Sequence, residues 1–166
     1  MPTPDFVLAL RAKVGTDLLW LTGVTAVVLR DGPSGDREVL LVERADNGWW
    51  TPVTGIVDPG EQPADAAVRE VLEEAGVVAV AEHLAWINVL PPMEYENGDR
   101  AQYLDVVFRC RWVSGEPYPA DGENTAAQWY PLDALPDMPG SHPDRVRRAA
   151  DSTNGPALFA GGHPPG

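Results

Sequence analysis

The sequence predicts an α/β domain with a mixed sheet lying between helices. Three observations point there. Residues 63–75 have the spacing of an amphipathic helix. Several other stretches are dense in aliphatic and aromatic residues over strand lengths, and the one around residues 103–112 alternates apolar and polar side chains. Clusters of Gly, Pro, Asn and Asp punctuate the chain between them. At 166 residues the chain suits a single domain with a sizeable core, expected over residues 1–150. Residues 151–166, rich in Gly and Pro, are expected to form a mobile tail, although Leu158 and Phe159 could dock on the body or on a partner.

In chain order, Pro4 to Val14 reads as a short helix with Phe6, Val7, Leu10 and Val14 roughly on one side. Leu18 to Leu29 reads as one or two strands, the second from Val24 to Leu29. The turn formers Asp31 to Asp36 lead into a strand from Val39 to Arg44, making a hairpin. Arg44 ends that strand at the edge of any site nearby, as a surface arginine or as a phosphate or carboxylate clamp. Trp49 and Trp50 are adjacent, so they cannot both point the same way in an extended chain. One belongs in the core and one near a site, where it could pack on a ring; Trp50 is the candidate for the latter.

After the helix of residues 63–75, Val77 to Val80 and Leu84 to Leu90 read as strand material. Glu96-Asn97-Gly98-Asp99 makes a hairpin turn because Asn-Gly tolerates positive φ. The next strand puts Leu104, Val106, Phe108, Cys110 and Trp112 on one face, with Tyr103, Asp105, Arg109 and Arg111 on the other. Cys110 thus reads as a buried small residue rather than a nucleophile. Gly115 to Thr125 is an acidic loop, Ala126 to Pro131 a short strand, and Leu132 to Leu135 a turn of helix. Ser141 is placed to cap a last helix through about Ala150.

The chemistry concentrates in the helix of residues 63–75. Glu70, Glu73 and Glu74 are spaced i, i+3, i+4 and fall within about 100° of one another on one helical face. Ala64, Val68, Val71, Leu72 and Ala75 form an apolar stripe centred roughly 140° away. One side is expected to pack and the other to gather negative charge. Three carboxylates on one turn repel, each i,i+4 pair by about 0.2–0.5 kcal/mol. Such a face is either a solvated acidic surface or a site for hard divalent cations, which turn repulsion into attraction.

The surrounding residues decide between these. From Gly55 to Val77 the chain reads G-x5-E-x7-R-E-U-x-E-E-x-G-U, with Val71 and Val77 at the apolar positions U. Gly55, Glu61, Arg69, Glu70, Glu73, Glu74 and Gly76 fill the fixed positions. At about 7% usage per residue, seven chance matches occur on the order of once in a hundred million start sites. This pattern resembles the Nudix box, the signature of the Nudix (MutT-like) hydrolases. Within it Asp58-Pro59-Gly60 is a turn, Pro63 fits the first helical turn and Gly76 the helix stop.

The resemblance implies an α/β/α sandwich around a central mixed sheet. It implies Mg²⁺ or Mn²⁺ held by Glu70, Glu73, Glu74 and the carbonyl of Gly55. It implies Arg69 as a structural ion pair, with Glu61 as its partner. Many relatives supply another carboxylate from the loop before the last strand, which here suggests Glu123, with Asp121 second. The general base is then Glu123 or a box glutamate such as Glu70 or Glu73. Arg44, Trp50 and Tyr95 are the candidate substrate contacts.

The implied reaction is hydrolysis of a phosphoanhydride in a nucleoside diphosphate-linked molecule. Where relatives often carry Pro-Gly, this chain has Val53-Thr54, a variant that resembles relatives acting on nucleoside or pterin triphosphates. Downstream, Pro91-Pro92 and Tyr95 match markers of two different substrate classes, ADP-ribose and dinucleoside polyphosphates, and cancel. The expected substrate is a nucleoside triphosphate, with ADP-ribose or a nucleotide sugar next. A non-catalytic nucleotide sensor is a further reading, opposed by the complete set of box glutamates. Dimerisation is common in the family and leaves a homodimer open; no stretch fixes an interface.

Composition narrows the partners. The net charge of −13 repels polyanions at long range, so neither a nucleic acid polymer nor an anionic membrane is an expected partner. No apolar run approaches the roughly 18 residues of a membrane span, and the start MPTPDFVLAL lacks the features of a secretion signal. With Cys110 as the only cysteine no internal disulfide forms, and a reducing cytoplasm fits.

Overall fold

The computed structural model describes residues 3–152 and Ala157. The expected tail from residue 153 onward, with Leu158 and Phe159, lies outside the described residues apart from Ala157. The elements follow the order α1 (Asp5–Val14), β1 (Leu19–Asp31), β2 (Arg37–Arg44), β3 (Trp50–Thr51), β4 (Val53–Ile56), α2 (Pro63–Ala75), β5 (Val78–Val89), β6 (Met93–Glu94), β7 (Arg100–Ser114), β8 (Asn124–Pro131) and α3 (His142–Asp151). The eight strands form one mixed sheet in the order β3-β2-β1-β7-β5, with β4 on β1, β6 on β7 and β8 on β2. β1 and β7 run parallel; the other pairings are antiparallel.

The expected α/β architecture is present, and the two faces of the sheet explain why. Val24, Ala26 and Val28 of β1 pack with Val106 and Cys110 of β7 against Ala67, Val71 and Ala75 of α2. Val27, Leu29 and Val107 pack on the opposite face against Val146 and Ala149 of α3. Both faces of β1 are buried, so its sequence is a continuous apolar run rather than an alternation. The expected Leu18–Leu29 stretch accordingly belongs to one strand, β1 from Leu19 to Asp31, with no break before Val24. The two runs expected between residues 77 and 90 likewise join as the single edge strand β5, which absorbs its irregular pattern in three register shifts against β7.

Three expectations change. Of the α1 stripe, Val7 alone is fully buried, against Leu21 and Ala101, with Phe6 packed beside them; Leu10 and Val14 stay exposed. Leu132 to Leu135 is a turn, not helix. Ser141 precedes α3 but makes no side-chain cap bond; its hydroxyl accepts from the Arg145 guanidinium instead.

One feature of the sheet opens the candidate site. β1 pairs with β2 only at Leu29–Asp31, whereas its Gly23–Ala26 stretch pairs with β4. The two strands therefore diverge, and the residue that β4 sets opposite Val24 is Gly55. No helix among the described residues is long and apolar enough to cross a membrane.

Candidate active site

α2 starts with Pro63 in its first turn, where a missing N–H costs nothing. It ends at Gly76, which adopts φ 65° and ψ 18° and donates its N–H to the Leu72 carbonyl at 3.0 Å. A Cβ on Gly76 would overlap the Tyr118 ring. Tyr118 belongs to the loop after β7, which ties itself to the end of α2: the Tyr118 N–H donates to Ala75 O at 3.1 Å and the Ala120 N–H to Glu74 O at 3.0 Å. These bonds satisfy carbonyls that a helix end leaves unpaired. Gly76→Ala therefore combines left-handed backbone strain with displacement of Tyr118, and should destabilise the protein by about 1–3 kcal/mol. A urea midpoint unchanged from wild type would show that the loop yields without cost.

The buried face of α2 is rotated from the expected stripe. Ala66, Ala67, Val71 and Ala75 are buried together with Glu70 and Glu74, while Leu72 is 53% exposed. Two of the three helix glutamates thus lie on the packing side, and Glu73 is exposed. Glycine makes this possible. A Cβ on Gly55 would overlap the carboxyl group of Glu70, so only glycine lets β4 and that carboxylate approach so closely.

Arg69 organises the remaining acids. It holds Glu61 through two bonds, Nε to Oε1 at 2.7 Å and Nη2 to Oε2 at 3.0 Å. Its Nη1 reaches Glu70 Oε1 at 2.9 Å and Glu73 Oε2 at 3.1 Å, and its Nη2 reaches the Ile56 carbonyl at 3.3 Å. The Glu61 pair expected from sequence is present, and Arg69 also links the box loop to two of the three helix glutamates. Bonds from Arg69 hold the Glu61 carboxyl below the usual range.

Glu70 and Glu74 behave differently. Burial pushes both carboxyls up to about 7, against the nearby Arg69 for Glu70 and with the Asn124 bond among the opposing causes for Glu74. Glu70 Oε2 is buried and has no hydrogen-bond partner among the described residues. A buried carboxylate oxygen without a partner is costly unless a cation or proton meets it. Hard oxygen donors suit Mg²⁺ or Mn²⁺, so the donor set of Glu70, Glu73, Glu74 and the Gly55 carbonyl fits such an ion. With Glu70 and Glu73 both bonded to Arg69, no three carboxylate, imidazole or thiolate groups among the described residues converge as a ready-made cation cage.

Around Glu74 the structure gathers other residues. Asn124, buried at the start of β8, donates Nδ2 to Glu74 Oε2 at 3.2 Å. Arg44 is held by Asp46 through Nε at 3.0 Å and Nη2 at 2.9 Å. Those bonds, with charge contributions from Glu74 and Tyr95, keep its guanidinium above its ordinary value. Arg44 is thus within electrostatic reach of both Glu74 and Tyr95. Tyr95 is exposed, with its hydroxyl 2.8 Å from that of Tyr103. Trp50 packs edge-on against Tyr130, centroids 5.1 Å apart, beside the second core cluster, and Trp49 is the more exposed of the pair.

The backbone of Glu123 is fixed by Ala45, whose N–H donates to its carbonyl at 2.9 Å, and by the Asp121 carboxylate, which accepts its N–H at 3.0 Å. The charge of Asp121 is among the causes that raise the Glu74 carboxyl. Cys110 is fully buried, and burial pushes its thiol up to about 12, as suits a packing residue.

Sequence reasoning missed Asn124, because no signal distinguishes it from other polar loop residues. It also missed a buried polar network under α3. Arg145 donates Nη1 to Thr25 Oγ1 at 3.1 Å and lies 3.3 Å from Asp105 Oδ2, while Thr25 donates to Asp105 Oδ1 at 2.9 Å. Asp105 was readable as an acid on a strand, but not as one paired from a helix forty residues later. Beside this network burial pushes the His142 imidazole down to about 3, with Arg145 and Arg44 adding to the shift.

A family model for the NUDIX domain matches residues 20–150. The chain belongs to the Nudix family. It is 33% identical over 138 residues to a putative 8-oxo-dGTP diphosphatase of Bacillus subtilis, covering 82% of this chain and 83% of that protein. It is 39% identical over 105 residues to the NAD-capped RNA hydrolase NudC of Pseudomonas aeruginosa, covering 61% of this chain. The match spans only about a third, 34%, of that longer protein. Among solved structures, an ADP-ribose pyrophosphatase from Streptococcus suis superposes with a TM-score of 0.63 at 23% identity, covering 84% of this chain and 98% of that one; at this identity the likeness concerns the fold.

Proposed function

We propose that the chain is a metal-dependent pyrophosphohydrolase that cleaves a phosphoanhydride in a small nucleotide, preferentially a nucleoside triphosphate. The observation that carries this reading is the buried Glu70 carboxylate, seated on Gly55 with one oxygen lacking a partner among the described residues, beside Glu74 in a complete box. Glu70, Glu73, Glu74 and the Gly55 carbonyl would hold Mg²⁺ or Mn²⁺. Such an ion neutralises phosphate charge and lowers the pKa of water, which attack on a polyanion requires.

The chain's own groups divide the remaining work. Arg69 fixes the orientation of Glu70 and Glu73 and ties the loop at Glu61 to them. Glu123 or a box glutamate takes the proton from the attacking water. Arg44 and Tyr95 meet the phosphates and the rest of the nucleotide. The high coverage of the Bacillus subtilis relative, whose name specifies a nucleoside triphosphate, supports the preferred substrate. A second reading, a dinucleotide joined through a diphosphate, is favoured by the Pseudomonas aeruginosa relative. The net charge of −13 opposes a long RNA but not a free dinucleotide.

Hydrolysis of a panel with and without Mg²⁺ tests the proposal. The panel holds the nucleoside triphosphates, an oxidised guanine nucleotide, NAD, ADP-ribose, a nucleotide sugar and diadenosine polyphosphates. Metal-dependent release of a nucleoside monophosphate and pyrophosphate from a triphosphate is expected. Preferential cleavage of NAD would move the assignment to dinucleotides. No cleavage of any member by protein that binds the metal would overturn the hydrolase reading in favour of a nucleotide sensor.

A further inference from the structure

Glu74 is gripped from one segment at two levels. The loop before β8 holds its backbone, because the Ala120 N–H donates to the Glu74 carbonyl at 3.0 Å. Four residues later Asn124 holds its side chain, donating Nδ2 to Oε2 at 3.2 Å. Glu74 and Asn124 are both buried, so water does not compete freely for this bond. Among the described residues no other hydrogen bond to the Glu74 carboxylate is present.

The aim of Asn124 is set by a break in the sheet. β8 pairs regularly with β2 from Glu38↔Pro131 to Glu43↔Ala126, then slips so that Asn124 lies opposite Arg44. The Ala45 N–H, donated to the Glu123 carbonyl at 2.9 Å, pins the residue just before Asn124. Irregularities of this kind re-aim a side chain and recur beside active sites. Here the slip turns an amide donor toward a carboxylate fifty residues earlier in the chain.

We infer that Asn124 is a positioning residue: its amide fixes the Glu74 carboxylate so that the remaining oxygen faces the cation site. This rests on the metal-dependent reading proposed above. Asparagine suits the task because it donates without adding charge, leaving the carboxylate negative for a cation. An arginine there would compete with the metal, and a leucine would leave Oε2 without a donor.

The test is Mn²⁺ binding to the full chain, measured by calorimetry, for the wild type, Asn124→Leu and Asn124→Gln. Alongside it, the Mg²⁺ concentration for half-maximal hydrolysis and the nucleotide KM at saturating Mg²⁺ are determined. Changes to groups that orient a metal ligand weaken metal affinity by about 10–100-fold. Asn124→Leu should weaken Mn²⁺ binding and raise the Mg²⁺ requirement within that range, with nucleotide KM at saturating Mg²⁺ within about twofold of wild type. Asn124→Gln, which keeps the amide, should recover part of the loss. Should Asn124→Leu fail to fold, Asn124→Ser, whose hydroxyl is too short to reach Glu74, replaces it in the same titrations.

Mn²⁺ affinity equal to wild type in the variant lacking the donor would overturn the inference and leave the hydrolase reading standing. A wild type that neither binds Mn²⁺ nor cleaves any nucleotide would remove both together.

Discussion

Glu74→Gln lowers turnover by at least about 100-fold while the protein stays folded. The bound follows from position: groups that merely orient a metal ligand cost about 10–100-fold, and Glu74 is proposed as a ligand itself. Folding should survive for two reasons. A glutamine side chain has nearly the shape of a glutamate and still offers an oxygen to Asn124 Nδ2. Burial already holds the Glu74 carboxyl at about 7, so the fold tolerates a neutral group there. The measurement is steady-state hydrolysis of the preferred nucleotide at saturating Mg²⁺, with a thermal melt of the same preparation. A variant that melts like wild type and turns over within about threefold of it would remove Glu74 from the metal role.

The architecture was legible because its determinants are local. The box helix declares its ends through Pro63 and Gly76, and both hold in the structure. The alternation around β7 puts Leu104, Val106, Phe108, Cys110 and Trp112 on one face; the last four pack in the cluster under α2, whereas Leu104 is half-buried outside it. Where the pattern is not local, sequence reading fails. The face of α2 was misjudged because periodicity treats Leu72 as core and Glu70 as solvent. A close approach at Gly55 reverses that, burying Glu70 and exposing Leu72. Asn124 was invisible because its direction depends on a register slip against β2, a property of two strands eighty residues apart. Trp50 could be expected to choose one side, but its contact with Tyr130 depends on β8 lying beside β2.

Removing the charge of Glu70 should make the metal-free protein more stable at pH about 8, at the expense of catalysis. Burial raises the folded carboxyl from 4.5 to about 7, despite the bond from Arg69. A group whose pKa is higher folded than unfolded stabilises the fold fully below its unfolded value. That contribution is lost as pH rises through the folded value. For Glu70 the loss falls between about pH 4.5 and 7, and amounts to a few kcal/mol, since each tenfold difference in proton affinity is worth about 1.4 kcal/mol.

Glu70→Gln keeps the shape and an oxygen for Arg69 but never ionises. Without metal it should match wild type near pH 5 and exceed it by roughly 1–3 kcal/mol near pH 8. Mg²⁺ should reverse the order, because a cation binds the ionised carboxylate and stabilises only a protein that can form the site. Urea unfolding at the two pH values, with Mg²⁺ or a chelator, reads all four combinations. If the metal-free proteins show equal stability at pH about 8, Arg69 compensates Glu70 fully and the buried oxygen lacking a partner is not a standing cost. If Mg²⁺ stabilises wild type and Glu70→Gln alike, the ion binds elsewhere. The expected pattern would show that the fold is destabilised at this position to keep a carboxylate ready, a cost that only a bound cation relieves.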